Sequence, residues 1–283
     1  MHRVAITVDS GLDLPSALRE KYGITQIPVH VNWRGRQYRD KVDLEVDDLF
    51  AQGEGSKDFP TTSQPSPGEF AAVFRELAKE AETIVSWHIA SALSGTWASA
   101  QEGAKMVAKD IHVIDTRSVS MGGGLQALGA AKVLHDGGSL EQALAMGLAI
   151  RDKIQVRVVL DTLDYVLRGG RISRLEATVG SLLQIKPMLS IQNGVMSSAG
   201  RTRSRKRSLE LLLNTVTAAC SKPEGRGFVA AVGHACASGD IEYILAHLRR
   251  ELPLATVIPY QVGIGIGAHG GPGVLGACYY NED

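Results

Sequence analysis

Two hydroxyl-rich segments, Thr61-Thr62-Ser63-Gln64-Pro65-Ser66 and Ser91-Ala92-Leu93-Ser94-Gly95-Thr96, each precede a stretch that reads as the start of a helix. Unpaired N–H groups and the positive end of the helix dipole make such starts favourable for a carboxylate or a phosphate. Plain capping explains either segment alone; the two together can point at one anion. Gly95 would let a ligand come close to the backbone. A third group, His269, sits in Gly265-Ile266-Gly267-Ala268-His269-Gly270-Gly271-Pro272, read as a glycine-rich loop that shields it little. It can donate to an anion, and a nearby anion would favour its charged form; a structural histidine is the plain alternative. Arg171, after Gly169-Gly170, is placed at an expected interdomain corner as a buttressing ion pair or a ligand contact. The run Arg201-Thr202-Arg203-Ser204-Arg205-Lys206-Arg207 opens an expected helix from Leu209. Cations there oppose the dipole, which leaves room for docking to an acidic partner.

The elements that must position these groups alternate in the first half. A strand over Val4 to Val8 leads to a helix near Pro15 to Tyr22 closed by Gly23, then a strand over Ile24 to Val31. Ser66 as N-cap, Pro67 at the first helical position and Glu69 as capping-box partner start the next helix. A strand over Ile84 to Ile89, a helix from Trp97, a strand over Ile111 to Asp115 and a helix over Met121 to His135 follow. Such alternation predicts a three-layer α/β/α domain with a parallel sheet, whose ligands gather at the carboxyl ends of the strands. Asp9-Ser10, Ser91 to Thr96, and Asp115-Thr116 with Ser118 and Ser120 should lie along that edge. The second half adds a strand over Gln155 to Leu160, a short helix ending at Arg168, and a hairpin signal at Asn193-Gly194 that implies a mixed sheet. Helices over Leu209 to Cys220 and Asp240 to Glu251 flank a strand from Gly227, and two strands close the chain. The boundary is expected near residue 152, giving domains 1–152 and 153–283.

Composition excludes several classes. Of 283 residues, 44% are hydrophobic, and 30 basic residues balance 30 acidic ones. A chain of this size can bury one large or two ordinary cores, and it carries no net field for a nucleic-acid backbone. Cys220, Cys236 and Cys278 have no metal or redox spacing and read as core cysteines of a reducing, cytoplasmic compartment. The amino-terminal apolar run is too short for a signal peptide, and no segment reaches membrane-span length. Walker A, HExxH and GxSxG motifs are missing, and Gly263 to Gly267 matches a dinucleotide pattern only superficially, with no helix expected after it. Neither metal nor cofactor nor nucleic acid is expected.

Together Val8-Asp9-Ser10, Thr62 to Ser66, Ser91 to Thr96, Asp115 to Gly124, Gly169 to Ser173, Ile185-Lys186-Pro187 and His269 to Gly273 resemble the DegV family, the bacterial fatty-acid-binding proteins of the FakB type, essentially end to end. The resemblance implies two α/β domains with one long-chain fatty acid in a tunnel between them. It implies no catalytic residue in this chain, which would present the carboxylate to a separate ATP-dependent fatty acid kinase for acyl phosphate formation, with only transient membrane contact. Carried over, Thr62, Ser63, Ser94, Gly95 and His269 would bind the carboxylate, Arg171, Asp9 and Ser120 would support it, and Arg201, Arg203 and Arg205 would dock the kinase. Gly270 stands where the family commonly has a threonine, removing one hydroxyl near the head group. Other classes remain open: a small-ketone-binding subunit of a dihydroxyacetone-kinase-like system, a serine acyl hydrolase using Ser94, His269 and an aspartate such as Asp9, or a lipid store without a kinase.

Overall fold

Val4, Ile6 and Val8 alternate with smaller or polar neighbours, and in the computed structural model they form the first strand, β1 (Val4–Asp9). The structure describes residues 3–53, 58–171 and 185–282; Ile172 and Ser173 of the family-like motif lie outside them. The chain divides into two units, Met1–Leu44 with Pro60–Asp152, and Glu45–Phe59 with Lys153–Asp283. The first unit is therefore not the continuous stretch 1–152 expected from the sequence. Residues 45–59 join the second because helix α2 (Val46–Gly53) buries Val46 and Leu49, and Val46 lies against Gly267.

In the first unit, β1, β2 (Ile24–Ile27), β6 (Thr83–His88) and β7 (Asp110–Asp115) form a parallel sheet in the order β2-β1-β6-β7. Helices α3 (Pro67–Leu77) and α4 (Thr96–Lys105) cover one face, where Phe70, Phe74 and Ala100 pack on Ile27 and Ile84. Helix α1 (Ser16–Tyr22) packs with α5 (Met121–His135), and α5 with α6 (Leu140–Lys153) covers the opposite face, where Trp87 meets Gly147. Residues 121–128 are buried on every side of α5, as a helix apolar all round should be. This is the three-layer arrangement expected.

The expected strand from Ile24 to Val31 is interrupted at Pro28, which cannot donate to a ladder. Beyond it, β3 (His30–Trp33) pairs antiparallel with β4 (Arg36–Arg39) and with β5 (Thr61–Ser63), so part of the first hydroxyl-rich segment is strand.

In the second unit a six-stranded mixed sheet runs β10-β9-β8-β13-β11-β12. These are β8 (Gln155–Val159), β9 (Lys186–Gln192), β10 (Val195–Thr202), β11 (Phe228–His234), β12 (Thr256–Gln261) and β13 (Leu275–Asn281). Only β11 and β12 are parallel neighbours. The Asn193-Gly194 turn joins β9 to β10 with φ of 51° and 72°, as a type I′ hairpin requires. Helices α8 (Arg205–Ala218) and α9 (Ser238–Glu251) cover one face through Leu212, Leu213, Ile244 and Leu248. Helix α7 (Asp164–Arg168) packs on α10 (Ile264–Gly270).

Three expectations are corrected here. The glycine-rich stretch holding His269 is a short helix, because Gly263 leaves β12 in extended conformation and its carbonyl accepts from Gly267. Helix α8 begins at Arg205, four residues early, because Ser204 caps it by accepting from the Arg207 N–H at 3.4 Å. Of the cysteines only Cys278 is buried; Cys236 is exposed, and its N–H and thiol both donate to Asp47. Among the described residues no helix is long and apolar enough to cross a membrane.

Candidate functional site

The two hydroxyl-rich turns come together in the first unit. Ser99 Oγ of α4 donates to the Pro65 carbonyl at 2.5 Å, and Gln64 lies so close to Gly95 that a Cβ there would stand 3.1 Å from Gln64 Nε2. Lower down, a Cβ on Gly103 would fall 2.6 Å from Phe70 Cβ, so the absence of a side chain lets α3 and α4 approach along their length. Both helices thus begin at one edge.

The two starts differ electrostatically. At α3 the capping box forms as expected: Glu69 N–H donates to Ser66 Oγ at 3.3 Å, and Ser66 N–H to Glu69 Oε2 at 2.8 Å. Burial alone would raise the Glu69 pKa, but the hydrogen bonds from Ser66 and the His30 charge hold it below the usual value. This start already carries its own carboxylate. Helix α4 has no acidic residue in its first turn and no side-chain bond from its N-cap, Gly95; Thr96 N–H turns back to Ser94 Oγ at 3.2 Å. Of the pair, α4 is the start that leaves its dipole for an external anion. Beside it, Thr62 pairs with Val31, and Ser63 Oγ accepts from Asn32 Nδ2 at 3.3 Å.

Three other serines expected on the carboxyl edge are there but occupied by the protein. Ser10 Oγ donates to buried Asp40 at 2.8 Å, and Ser91 Oγ to Asp115 at 2.5 Å. Ser120 Oγ donates to Asp13 at 2.6 Å, and Asp13 also pairs with Lys41 at 2.8 Å. The start of α5 is therefore filled by an internal carboxylate.

Asp9 belongs to a buried chain that sequence reasoning missed. Its carboxylate accepts from Gly11 N–H, Ile89 N–H and His88 Nδ1; His88 Nε2 meets Ser86 Oγ at 2.7 Å, and Ser86 Oγ meets Thr7 Oγ1 at 2.5 Å. All four side chains are fully buried. The signal was present as alternation: Thr7 and Asp9 on β1, Ser86 and His88 on β6, with Thr7 opposite Ser86. With no solvent access the set ties β1 to β6. It also commits Asp9 to His88, so Asp9 is not the acid of a Ser94–His269 hydrolytic set.

His269 and Arg171 belong to the second unit. His269 is largely enclosed by protein, and burial, followed by the charge of Arg171, pushes it down to about 4. With no anion beside it, that leaves it neutral near pH 7; a bound anion would raise it again. Arg171 Nη1 donates to the Gly169 carbonyl at 2.5 Å. At Gly270, where the resemblance implies a threonine, Val274 takes the room: a Cβ there would lie 2.9 Å from Val274 Cγ2. Arg201 and Arg203 are exposed. Arg205 is held by Asp240 at 2.8 Å and Asp161 at 3.4 Å, and Asp161 also receives Lys186 at 2.7 Å. Among the described residues no group of three His, Cys, Asp or Glu side chains is placed to hold a metal.

The DegV family model, described as an uncharacterised protein family, matches residues 3–282. A DegV domain-containing protein of Caldanaerobacter subterraneus is 34% identical, with 99% of each chain covered. A solved DegV family protein from Thermus thermophilus, described as fatty acid binding, is 35% identical with a TM-score of 0.90 over 99% of each chain. DegV from Bacillus subtilis, described as a fatty acid binding protein, is 30% identical with a TM-score of 0.91, over 99% of this chain and all of that one. The chain belongs to the DegV family.

Proposed function

We propose that this chain binds one long-chain fatty acid and presents its carboxylate to a separate ATP-dependent kinase, which forms the acyl phosphate. The observation that carries this reading is the open start of α4 beside Gln64, next to an α3 start that has its own carboxylate. It suits one external anion, and relatives about as similar as those above bind fatty acids. Thr62, Ser63, Ser94 and Gly95 are assigned to the carboxylate, with His269 as a donor to the same head group. Arg201 and Arg203 are assigned to kinase docking, whereas Arg205 is engaged with Asp161 and Asp240.

Magnitudes separate the roles of head and tail. At about 0.8 kcal/mol per buried methylene, roughly fourteen methylenes contribute on the order of 10 kcal/mol before ordering losses. Charge-assisted hydrogen bonds add about 1.5 to 3 kcal/mol each, largely offset by desolvating the carboxylate. The tail sets affinity and the head-group residues set orientation for transfer. Denaturing extraction and lipid mass spectrometry of freshly purified protein should recover stoichiometric fatty acid; a preparation that yields no lipid would favour the ketone-subunit reading. With a fatty acid kinase supplied, Thr62→Ala and His269→Ala should lower acyl phosphate formation more than binding. Equal losses in both measurements would count against the division of roles.

A further inference from the structure

The ring of His269 is seated by a residue that makes no hydrogen bond to it. Gly169 closes α7 with φ −70° and ψ −10°, a right-handed conformation open to any L-residue, so its backbone does not call for glycine. Space does. A Cβ on Gly169 would stand 2.2 Å from His269 Nδ1 and 3.0 Å from Cε1, with the Tyr165 carbonyl at 3.1 Å on its other side. The imidazole therefore lies directly on the Gly169 α-carbon. The same two segments interlock a second time, where the Tyr165 ring covers Gly271, leaving 2.4 Å to a Cβ there. Tyr165 in turn packs edge-on against Phe50 and Phe59, at ring distances of 5.9 and 5.1 Å, so α7 is backed and cannot readily retreat. Arg171 closes the remaining side by binding the Gly169 carbonyl.

We infer that Gly169 is a positioning residue for His269: its bare α-carbon forms the seat that sets the ring's place and orientation toward the fatty-acid carboxylate. This rests on the proposed function for the direction in which the ring is used, but the seat itself is a property of the second unit alone. Any side chain at residue 169 must push the imidazole off its seat, because histidine has only two side-chain torsions and α7 is held by the aromatic cluster. A displacement of about 1 Å at a group that orients a reacting atom can cost on the order of a hundredfold in rate.

The test uses the full chain and four variants: Gly169→Ala, His269→Ala, the double variant, and Gly239→Ala. Gly239 lies in α9 with open space around its Cβ position and controls for the exchange of glycine for alanine as such. In Gly169→Ala the His269 imidazole resonances should titrate well above about 4, toward the value of about 6.5 for a solvated histidine. The carboxyl signal of bound palmitate labelled with ¹³C at that carbon should shift, and acyl phosphate formation should fall at least tenfold with fatty-acid retention nearly unchanged. In the His269→Ala background the same substitution should add less than a twofold effect. If Gly169→Ala fails to fold while the double variant folds, the clash with His269 is demonstrated and the seat stands. A failure of both to fold, an unmoved His269 titration, or a full additional loss in the His269→Ala background overturns the inference. Loss of fatty-acid binding by the wild-type chain would instead sink the proposed function, and leave the titration result readable by itself.

Discussion

Acidification supplies the most quantitative check on the second unit. Burial and the Arg171 charge hold His269 at about 4, against 6.5 for a free histidine. As pH falls the unfolded chain takes up this proton first, so folded-state stability is intact above about pH 6.5 and is lost progressively toward pH 4. Below that both states are protonated and the loss levels off. At about 1.36 kcal/mol per pH unit, roughly 2.5 kcal/mol should be gone by pH 4.5. Urea unfolding at pH 7 and pH 4.5, for the delipidated wild-type chain and for delipidated His269→Gln, isolates this contribution because the other titrating groups cancel in the difference. Far-UV circular dichroism follows both units, while Trp33, Trp87 and Trp97 all belong to the first, so tryptophan fluorescence reads that unit separately. The variant should lose about 2.5 kcal/mol less than the wild type on acidification, in the dichroism signal. If both lose the same amount, His269 is not held neutral by burial and its enclosed seat is wrong.

Three substitutions probe the first unit. His88→Leu leaves the buried Asp9 carboxylate with backbone donors only and strips Ser86 of a partner; it should cost about 3 kcal/mol in denaturant unfolding, and a loss under 1 kcal/mol would mean the buried chain ties little together. Gly103→Val drives two methyl groups into the α3 contact at Phe70 and Pro67, and should lower stability by about 2 kcal/mol while lowering acyl phosphate formation more than fatty-acid retention. Acyl phosphate formation unchanged in a folded Gly103→Val would show that the spacing of the two helix starts does not matter to the head group. Ser66→Ala breaks the capping box and should lower stability by about 1 kcal/mol in thermal unfolding; no change would mean that Glu69 and water cap α3 equally well.

Local signals in the chain carried a large share of this architecture. Ser66, Pro67 and Glu69 mark the start of α3 by chemistry confined to four residues, and Asn193-Gly194 marks a hairpin because both residues must take positive φ. The alternating pattern of strands and helices was enough to specify a parallel sheet with polar residues at its carboxyl edge. What escaped was what depends on partners distant in sequence. Residues 45–59 look like a connection within the first unit, and they join the second because Val46 and Phe50 find Gly267 and Tyr165 there. Arg205 reads as a free cation until Asp240 and Asp161 arrive beside it. His269 reads as an exposed and chargeable donor among glycines, yet those glycines pack closely rather than expose it, and desolvation lowers its pKa.

The opening pair of turns shows the division most clearly. Hydroxyls, glycine and helix starts are properties of the residues themselves, and the proposed anion cradle rests on them. Which of the two starts stays open does not follow. That depends on the Glu69 carboxylate folding back on α3, and on Gly103 and Gly95 letting α4 come close enough for the starts to lie side by side. Electrostatics and steric contact act across space, and their outcome is set only once the chain has folded.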